Sequence, residues 1–289
     1  MNNVIKNHPC FSEEAHKKFG RIHLPVAPSC NIQCRYCIRK FNCIHESRPG
    51  ITSNILTPYE ALERVSNIIE RHDNLSVIGI AGPGDPLANE TTFQTLRLIN
   101  REFPDLILCI STNGLSLPER LKDLVDCRVK SLTITINALN TETAEKIYSW
   151  ALYRDKFYTG KKAAELILHK QWEGLKSAIK AGLIIKINTI LIPGVNDDEI
   201  PLIAMIAGKE GAHIMNILPL IPQAEFSHLQ RPCRETIHKL REECGKHILQ
   251  MSHCRQCRAD ACGIIGEDKD MELEMIYSKI GEEYEESII

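Results

Sequence analysis

Three cysteines near the N-terminus, Cys30, Cys34 and Cys37, have the spacing needed to bind one face of an iron–sulfur cluster. A ferredoxin-type electron carrier gives a 4Fe–4S cluster four thiolate ligands. These residues supply three, so one iron would keep an open coordination position, as catalytic zinc sites do. A zinc site is the alternative, but zinc ligands normally come as two pairs at matching spacing.

The chain has twelve cysteines, and nine of them lie outside this cysteine loop (residues 30–37). In a reducing compartment so many thiols favour metal ligation over disulfides. Cys262 is interpreted as an extra ligand or a buried thiol. The candidate ligands for further clusters are His8, Cys10, Cys43, Cys109, Cys254 and Cys257. The cysteines that match no motif, which we interpret as structural, are Cys127, Cys233 and Cys244.

The composition is that of a globular protein, with 43% hydrophobic and 25% charged residues. The net charge of −2 argues against a nucleic-acid-binding protein, which would need a strongly basic face. The N-terminal segment has no apolar core as long as that of a signal peptide. No apolar run approaches the length of ~20 residues needed to span a membrane. We therefore expect a cytoplasmic protein with no membrane partner. Residues 267–289 hold nine acidic residues and two lysines, which predicts an acidic tail after one domain at residues 1–266.

Short β-branched runs alternate with longer helical patterns, which predicts βα units around a parallel sheet. The predicted strands are 23–27, 77–81, 106–111, 131–137, 184–191 and 214–218. The predicted helices are 58–71, 91–102, 118–125, 141–150, 161–181, 197–209 and 234–247. Six units are fewer than the eight of a closed barrel. The expected fold is therefore α/β, a partial (βα)6 TIM-like barrel.

The strand at residues 131–137 has two chemically different faces, because successive side chains point to opposite sides of a sheet. Leu132, Ile134 and Ile136 form the apolar face, and the intervening residues are all polar. Polar groups that face inward cost free energy unless they have partners, so we expect a barrel lumen that holds a polar ligand. The alternative is the exposed face of an antiparallel sheet.

Two polar or glycine-rich loops follow predicted strands, where barrel enzymes place their sites. Residues 81–88 contain Gly82, Gly84 and Asp85, and the glycines would allow close approach of the backbone to a ligand. Ser111 and Asn113 end the next strand and could hydrogen-bond a bound ligand. Ordinary turns are the alternative for both loops.

The cysteine spacing, with Tyr36 just before the third thiol, resembles that of the radical S-adenosylmethionine (SAM) superfamily. The resemblance implies that SAM binds the open iron through its amino and carboxylate groups. It also implies that an electron from the cluster cleaves SAM to a 5′-deoxyadenosyl radical, and that the loop at 81–88 meets the methionine end of SAM.

Taken together, the motifs resemble the NifB family, the radical SAM maturases of the nitrogenase iron–molybdenum cofactor. The segments that carry this resemblance are 8–10, 30–37, 46–50, 81–89, 111–114, 133–137 and 254–263. It implies that Glu46 lies near SAM and accepts a proton from carbon. The residues it assigns to the SAM site are Gly82, Gly84, Asp85, Ser111, Asn113, Thr135, Asn137 and Asn188.

The same resemblance implies two further 4Fe–4S clusters as substrates. One would be held by His8, Cys43 and Cys254, and the other by Cys10, Cys109 and Cys257. One SAM would donate a methyl group and a second would supply the radical that removes hydrogen from it. The product would be an 8Fe–9S–C core with a central carbide and an added sulfur. A protonatable imidazole at His8 would be easier to displace than a thiolate when the product leaves.

The implied partners are an iron–sulfur cluster donor, an electron donor, and a cofactor carrier or nitrogenase assembly scaffold. We expect the cofactor-binding domain of longer family members to be absent. Two other classes remain open. One is another radical SAM enzyme with auxiliary clusters, which usually come from a single C-terminal extension. The other is a non-catalytic iron–sulfur carrier or redox sensor.

Overall fold

The computed structural model describes residues 2–40, 43, 54–72 and 74–265. The strands are β1 (Gly20–His23), β2 (Ile32–Cys34), β3 (Leu75–Ile80), β4 (Ile107–Thr112), β5 (Ser131–Thr135), β6 (Tyr148–Tyr153), β7 (Lys156–Thr159), β8 (Ile184–Leu191), β9 (Ile214–Pro219) and β10 (Cys262–Gly263). The helices are α1 (Asn2–Asn7), α2 (Glu13–Lys18), α3 (Pro58–Ile69), α4 (Glu90–Glu102), α5 (Leu117–Asp126), α6 (Thr141–Ile147), α7 (Gly160–Lys180), α8 (Ile200–Glu210) and α9 (Arg234–Cys244).

Seven strands form the main sheet in the order β10-β1-β3-β4-β5-β8-β9. The six from β1 to β9 run parallel, and β10 is antiparallel to β1 at one edge. At least one helix lies between each two consecutive parallel strands in the chain, as expected for βα units. The predicted partial (βα)6 barrel is confirmed as a curled, open parallel sheet.

The two faces of β5 separate as the alternation predicts. Leu132, Ile134 and Ile136 belong to the main apolar core together with residues of the surrounding helices. Thr133 instead lines an internal cavity, and Ser131 is completely buried. The alternative of an exposed antiparallel sheet face is wrong, because β5 pairs in parallel with both neighbours and every residue in it is buried.

Several predicted boundaries are wrong. The first strand is β1 at Gly20–His23 instead of 23–27, since its pairing to β3 starts earlier in the chain. The predicted helix 141–150 ends at Ile147, because the aromatic run that follows forms β6. The predicted helix 197–209 starts with a separate 3-10 turn at Asp197–Glu199, and the last predicted helix ends three residues early at Cys244. The short elements that the periodicity did not indicate are α1, α2, β2, β6, β7 and β10.

A second, antiparallel sheet of three strands supports the cysteine loop, in the order β2-β6-β7. β2 contains Cys34 and pairs with β6, while β6 and β7 form a hairpin inserted between α6 and α7. Arg154 and Asp155 at its turn have φ of 50° and 58°, the left-handed backbone of a type I′ turn. The crossover from β5 to β8 therefore supports the cysteine loop directly, through the hairpin that it contains.

Within the described residues, none of the helices has both the length and the apolar character needed to cross a bilayer.

We predict that Ile134→Ala lowers the free energy of unfolding by about 2–5 kcal/mol, because it removes a fully buried side chain between the sheet and the helices. Thr133→Ser is the matched control: it lies on the same strand, faces the lumen, loses one methyl group and should cost about 1 kcal/mol. Anaerobic urea denaturation measures both. Equal losses would contradict the assignment of the two faces.

Candidate functional site

The cysteine loop is held in shape by its own hydrogen bonds. The Gln33 side-chain amide donates to the Cys34 carbonyl at 2.9 Å and to the Cys37 carbonyl at 2.8 Å. Cys34 is buried, whereas Cys30 and Cys37 are partly exposed. Burial raises the pKa of Cys34 well above its ordinary value, and the neighbouring Cys37 and Cys30 raise it further. The three thiols therefore lie within one another's electrostatic field, which opposes ionisation unless a cation is bound.

Arg39 is the positive charge beside these thiols. Its Nε donates to Oε1 of Gln33 at 2.9 Å, and its Nη2 donates to the Ile32 carbonyl. Burial raises the pKa of Cys30, and the Arg39 guanidinium acts in the opposite direction. This donor set, three thiols on one loop with a cation beside them, fits a thiolate-ligated cluster.

The glycine-rich loop packs on the segment that leads into the cysteine loop. The Gly84 amide donates to the Ala27 carbonyl at 2.6 Å, and the Asp85 amide donates to the Ser29 carbonyl at 2.8 Å. A Cβ on Gly84 would lie 2.2 Å from the Ser29 carbonyl oxygen, so only glycine fits there. Cys43 joins the same loop, since its amide donates to the Pro83 carbonyl at 3.0 Å.

The buried Asp85 carboxylate ties this loop to the end of β4. It accepts hydrogen bonds from the Thr112 hydroxyl at 2.9 Å, the Asn113 amide at 2.6 Å and the Leu87 amide at 2.9 Å. Burial raises the pKa of Asp85 to about 6, against the opposing effect of these donors. Asp85 thus positions two loops through contacts within the protein, and its contact with SAM stays a prediction.

Two asparagines connect the strand ends to the cysteine loop. Nδ2 of Asn113 donates to Oδ1 of Asn31 at 2.8 Å and lies 3.6 Å from the Cys30 sulfur. Nδ2 of Asn137 donates to the Tyr36 hydroxyl at 2.9 Å, and its Oδ1 accepts from the Ile190 amide. The aromatic residue of the cysteine motif is therefore fixed by the polar face of the sheet.

Below these loops, the lumen contains a cavity with about 670 Å³ of space outside the protein atoms, part of it open to solvent. The predicted site residues that line it are His8, Cys10, Cys109, Ser111, Asn188, Cys254 and Cys257. They come from the N-terminal segment, β4, β8 and the late cysteine run. The described lining does not include Cys43, Thr135 or Asn137.

Cys10 lines this lumen together with three other thiols. Burial raises its pKa to about 12, with further upward effects of Cys257, Cys109 and Cys254 and an opposing effect of Lys186. Four thiols and one ammonium therefore share a space that excludes most water. Thiolates in such a space need cationic partners, which cluster irons would provide.

His8 is 1% exposed and lines the lumen. Nδ1 accepts from the Cys10 amide at 3.1 Å, while Nε2 is buried and has no hydrogen-bond partner among the described residues. Burial and the charge of Lys186 lower the pKa of His8 to about 3. The imidazole is therefore neutral at physiological pH. That this imidazole is a cluster ligand displaced more easily than a thiolate stays a prediction.

Further charged and polar residues also line the lumen. They are Arg21, His23, Lys186, Asn216, Arg255 and Gln256. The alternation of β8 indicates Lys186, because it shares a face with Asn188, and the late cysteine run supplies Arg255 as a cation beside its thiols. Sequence reasoning missed the other four, which reach the lumen only because β1, β9 and the late cysteine run meet there.

The remaining cysteines divide by burial. Cys127, Cys244 and Cys262 are buried and belong to the main core, while Cys233 is exposed at the start of α9. Among the described residues, no three His, Cys, Asp or Glu side chains converge closely enough to hold a single metal ion. The ligand assignments for clusters stay predictions. Glu46 lies outside the described residues.

Comparison with known proteins defines the class. The sequence of residues 24–206 matches the family model of the radical SAM superfamily. The solved structure of methylornithine synthase (PylB) superimposes with a TM-score of 0.54 over 93% of this chain and 80% of that one, at 14% identity, which supports the fold. The chain is a member of the radical SAM superfamily, and a 4Fe–4S cluster and SAM are its cofactors.

The relatives define the family more narrowly. The chain is 47% identical over 270 residues to the FeMo cofactor biosynthesis protein NifB of Methanocaldococcus infernus, covering 92% of this chain and 88% of that protein. It is 46% identical over 272 residues to the NifB of Chlorobaculum tepidum, covering 93% of this chain and 64% of that protein. For Klebsiella pneumoniae NifB the chain spans 58% of the relative's length. The chain belongs to the NifB family, as its motifs predict.

We predict that Gly84→Ala destabilises the protein by about 2 kcal/mol or more and weakens SAM binding, because the added methyl group would collide with the Ser29 carbonyl. Gly194→Ala is the control, since a Cβ there meets nothing within 4 Å and only the left-handed φ of 74° costs about 1 kcal/mol. Urea denaturation and equilibrium dialysis with SAM measure the two effects. The close packing of the loop would be wrong if both variants behaved alike.

A pH dependence follows from the low pKa of His8. Below pH 6.5 the unfolded imidazole takes up a proton that the folded one refuses until about pH 3, so stability falls with acidification. Between pH 7 and pH 5 this residue should account for a loss of about 2 kcal/mol. In cluster-free protein His8→Gln should remove that loss, whereas the exposed His247→Gln should not. Urea denaturation at both pH values tests this, and an unchanged pH dependence in His8→Gln would refute it.

Proposed function

We propose that this chain uses SAM to fuse two 4Fe–4S substrate clusters into an 8Fe–9S–C precursor of the nitrogenase cofactor. A SAM methyl group would supply the carbide, and a sulfur would be added. The observation that carries the proposal is the lumen cavity, where five of the six predicted substrate-cluster ligands meet although they come from distant parts of the chain. The names of the relatives, FeMo cofactor biosynthesis proteins, point to the same pathway.

The cofactor site would be built from the cysteine loop and the glycine-rich loop. Cys30, Cys34 and Cys37 would hold the resident cluster, which with SAM supplies one-electron radical chemistry when bound. Asn113 and Tyr36 keep the thiols in place through the contacts described above. Gly84 would hold the glycine-rich loop tightly against the segment before the cysteine loop. Glu46 would accept a proton from the SAM-derived carbon.

The substrate clusters would occupy the lumen on two ligand sets. Cys10, Cys109 and Cys257, which all line the lumen, would hold one cluster. His8, Cys254 and Cys43 would hold the other. Cys43 hydrogen-bonds to the glycine-rich loop, so this cluster would lie on the side nearer the SAM site. The ammonium of Lys186 would offset the negative charge of thiolate-ligated clusters.

The lumen would offer few protein ligands to each substrate cluster, and weak attachment suits a product that must leave. Two clusters held by three ligands each would keep unligated irons, through which they could join. We propose that a cluster donor fills the lumen and that a carrier or nitrogenase scaffold takes the product. Residues 1–266 would form the catalytic domain and residues 267–289 an acidic tail.

Another radical SAM enzyme with auxiliary clusters is the second candidate. It accounts for the cofactor site equally well. However, auxiliary clusters from one C-terminal extension would leave His8, Cys10 and Cys109 without a purpose, and these residues line the same cavity as Cys254 and Cys257.

The deciding experiment follows the methyl carbon. Protein reconstituted with iron and sulfide is incubated anaerobically with reductant and SAM labelled in its methyl carbon. We expect the label in an acid-labile cluster, because the lumen would hold the carbon acceptor next to the SAM site. Cys34→Ala, which removes a ligand of the resident cluster, should abolish the transfer and the release of 5′-deoxyadenosine.

Iron content completes the test. A wild-type protein that binds only four irons per chain, or one that releases 5′-deoxyadenosine without labelling a cluster, would favour the second candidate. A protein that never cleaves SAM would be a carrier or sensor.

A further inference from the structure

The inward face of β9 has one polar side chain between two apolar ones. Asn216 lines the lumen, and so does Leu218 two residues further on. Ile214, two residues earlier on the same face, is apolar and buried. Met215 and Ile217 point to the other side and belong to the main apolar core. An apolar side chain at position 216 would cost less to bury, so packing alone does not explain the amide.

The Asn216 carboxamide is buried without enough hydrogen-bond partners. The residue is 1% exposed, and its Oδ1 has no partner among the described residues. Its Nδ2 makes one long contact, 3.4 Å, with Oδ1 of Asn188, which lies opposite it on β8. A normal N–H···O bond is about 2.7–3.2 Å long, so this contact is weak. Burying an amide in that state costs free energy, which a bound ligand would recover.

The surroundings of Asn216 favour an iron–sulfur cluster over SAM as that ligand. The four thiols that line the same cavity are Cys10, Cys109, Cys254 and Cys257. By contrast, the described lining contains two of the eight residues assigned to SAM and none of the cysteine loop. The free amide therefore lies among the ligands predicted for the substrate clusters.

The chain that leads into the late cysteine run (residues 254–263) passes beside Asn216. The Met215 amide donates to the Leu249 carbonyl at 2.8 Å, and the Met251 amide donates to the Met215 carbonyl at 2.8 Å. This pairing holds the chain along the outer edge of β9, three residues before Cys254. A cluster held by Cys254 would thus lie near the part of β9 that contains Asn216.

We propose that Asn216 is a binding residue for the substrate cluster held by Cys254, and that its amide donates a hydrogen bond to a sulfide of that cluster. A half-turn of the side chain exchanges the donor and acceptor ends of a carboxamide, so the NH2 group can face the lumen. Hydrogen bonds to the sulfurs also tune the reduction potential of a cluster. The bond would orient a cluster that has few protein ligands. The inference rests on the proposed function, since it requires a cluster in the lumen.

Stability without clusters separates this binding role from a packing role. Asn216→Leu keeps the approximate size of the side chain and removes its polar atoms. In cluster-free protein we expect this variant to leave the urea midpoint unchanged or to raise it, because the unpartnered amide is gone. A lower midpoint would show that the amide serves the fold and would overturn the proposal.

Retention of clusters tests the hydrogen bond itself. Asn216→Leu and Asn216→Ala are made in a Cys34→Ala background, which lacks a ligand of the resident cluster, and the proteins are reconstituted with iron and sulfide. Loss of iron to a chelator should be about fivefold faster in both variants than in the background protein. The midpoint potential of the clusters should become more negative, because the bond stabilises their reduced state. Asn74→Ala, at an exposed asparagine before β3, is the matched control and should change neither quantity.

Three other results would overturn the inference. Unchanged iron loss and potential in both Asn216 variants would contradict it while the substrate clusters remain in place. Weaker SAM binding in equilibrium dialysis, with no change in the clusters, would make Asn216 a SAM contact instead. If the Cys34→Ala background binds no iron, the lumen holds no substrate cluster, so the proposed function fails and the role of Asn216 fails with it.

Discussion

The cost of burying thiols and polar side chains inside the curled sheet is the constraint on which the site depends. Removing a thiolate from water without a partner is unfavourable, and the pKa values of Cys10 and Cys34 are raised for that reason. The same burial, with Lys186, keeps His8 neutral. A chain that places four thiols, an imidazole and an ammonium in one lumen tolerates this cost because a packed apolar core surrounds the sheet. Binding of iron would lower the cost, so cluster binding and stability are coupled.

The loops above the lumen have a different requirement, which is to hold ligands at fixed positions. Loops normally move, but here each is tied to another by buried hydrogen bonds. The Asp85 carboxylate joins the glycine-rich loop to the end of β4, and Asn113 continues that connection to Cys30. On the other side, Gln171 donates to the carbonyls of Asn113 and Thr135 and so fixes both strand ends to α7. The cysteine loop is therefore held by the barrel as well as by the hydrogen bonds of its own Gln33.

The parts of the fold that sequence could predict are those with a local signal. The alternation at 131–137 predicts both β5 and the polar lumen, because a strand repeats every two residues whatever surrounds it. The cysteine loop is predictable for a similar reason, since its three cysteines lie within eight residues of the chain. By contrast, β10 has two residues and exists only through pairing with β1. The aromatic run of β6 looks like a continuation of α6 until β2 and β7 provide partners.

The same distinction applies to the site. The sequence predicts Asp85 as a site residue, and that stays a prediction. Its partners Thr112, Asn113 and Leu87 follow from how two loops meet, which spacing does not show. Arg21 and Asn216 reach the lumen from strands on opposite sides of the sheet order, so only the closed arrangement reveals them. A single sequence does not reveal residues that reach the site only through the pairing of strands far apart in the chain.

The cysteine loop has two sides with different surroundings, because the inserted hairpin pairs with its outer side. Its inner side faces the barrel, where Asn113 and Asn137 contact Cys30 and Tyr36. Its outer side is a strand of the small sheet, bonded to β6 and continued by β7. A barrel alone needs no such sheet, since the crossover from β5 to β8 could be made by a helix. The extra strands hold the loop from its outer side through backbone pairing, so its inner side is free to face the strand ends of the barrel.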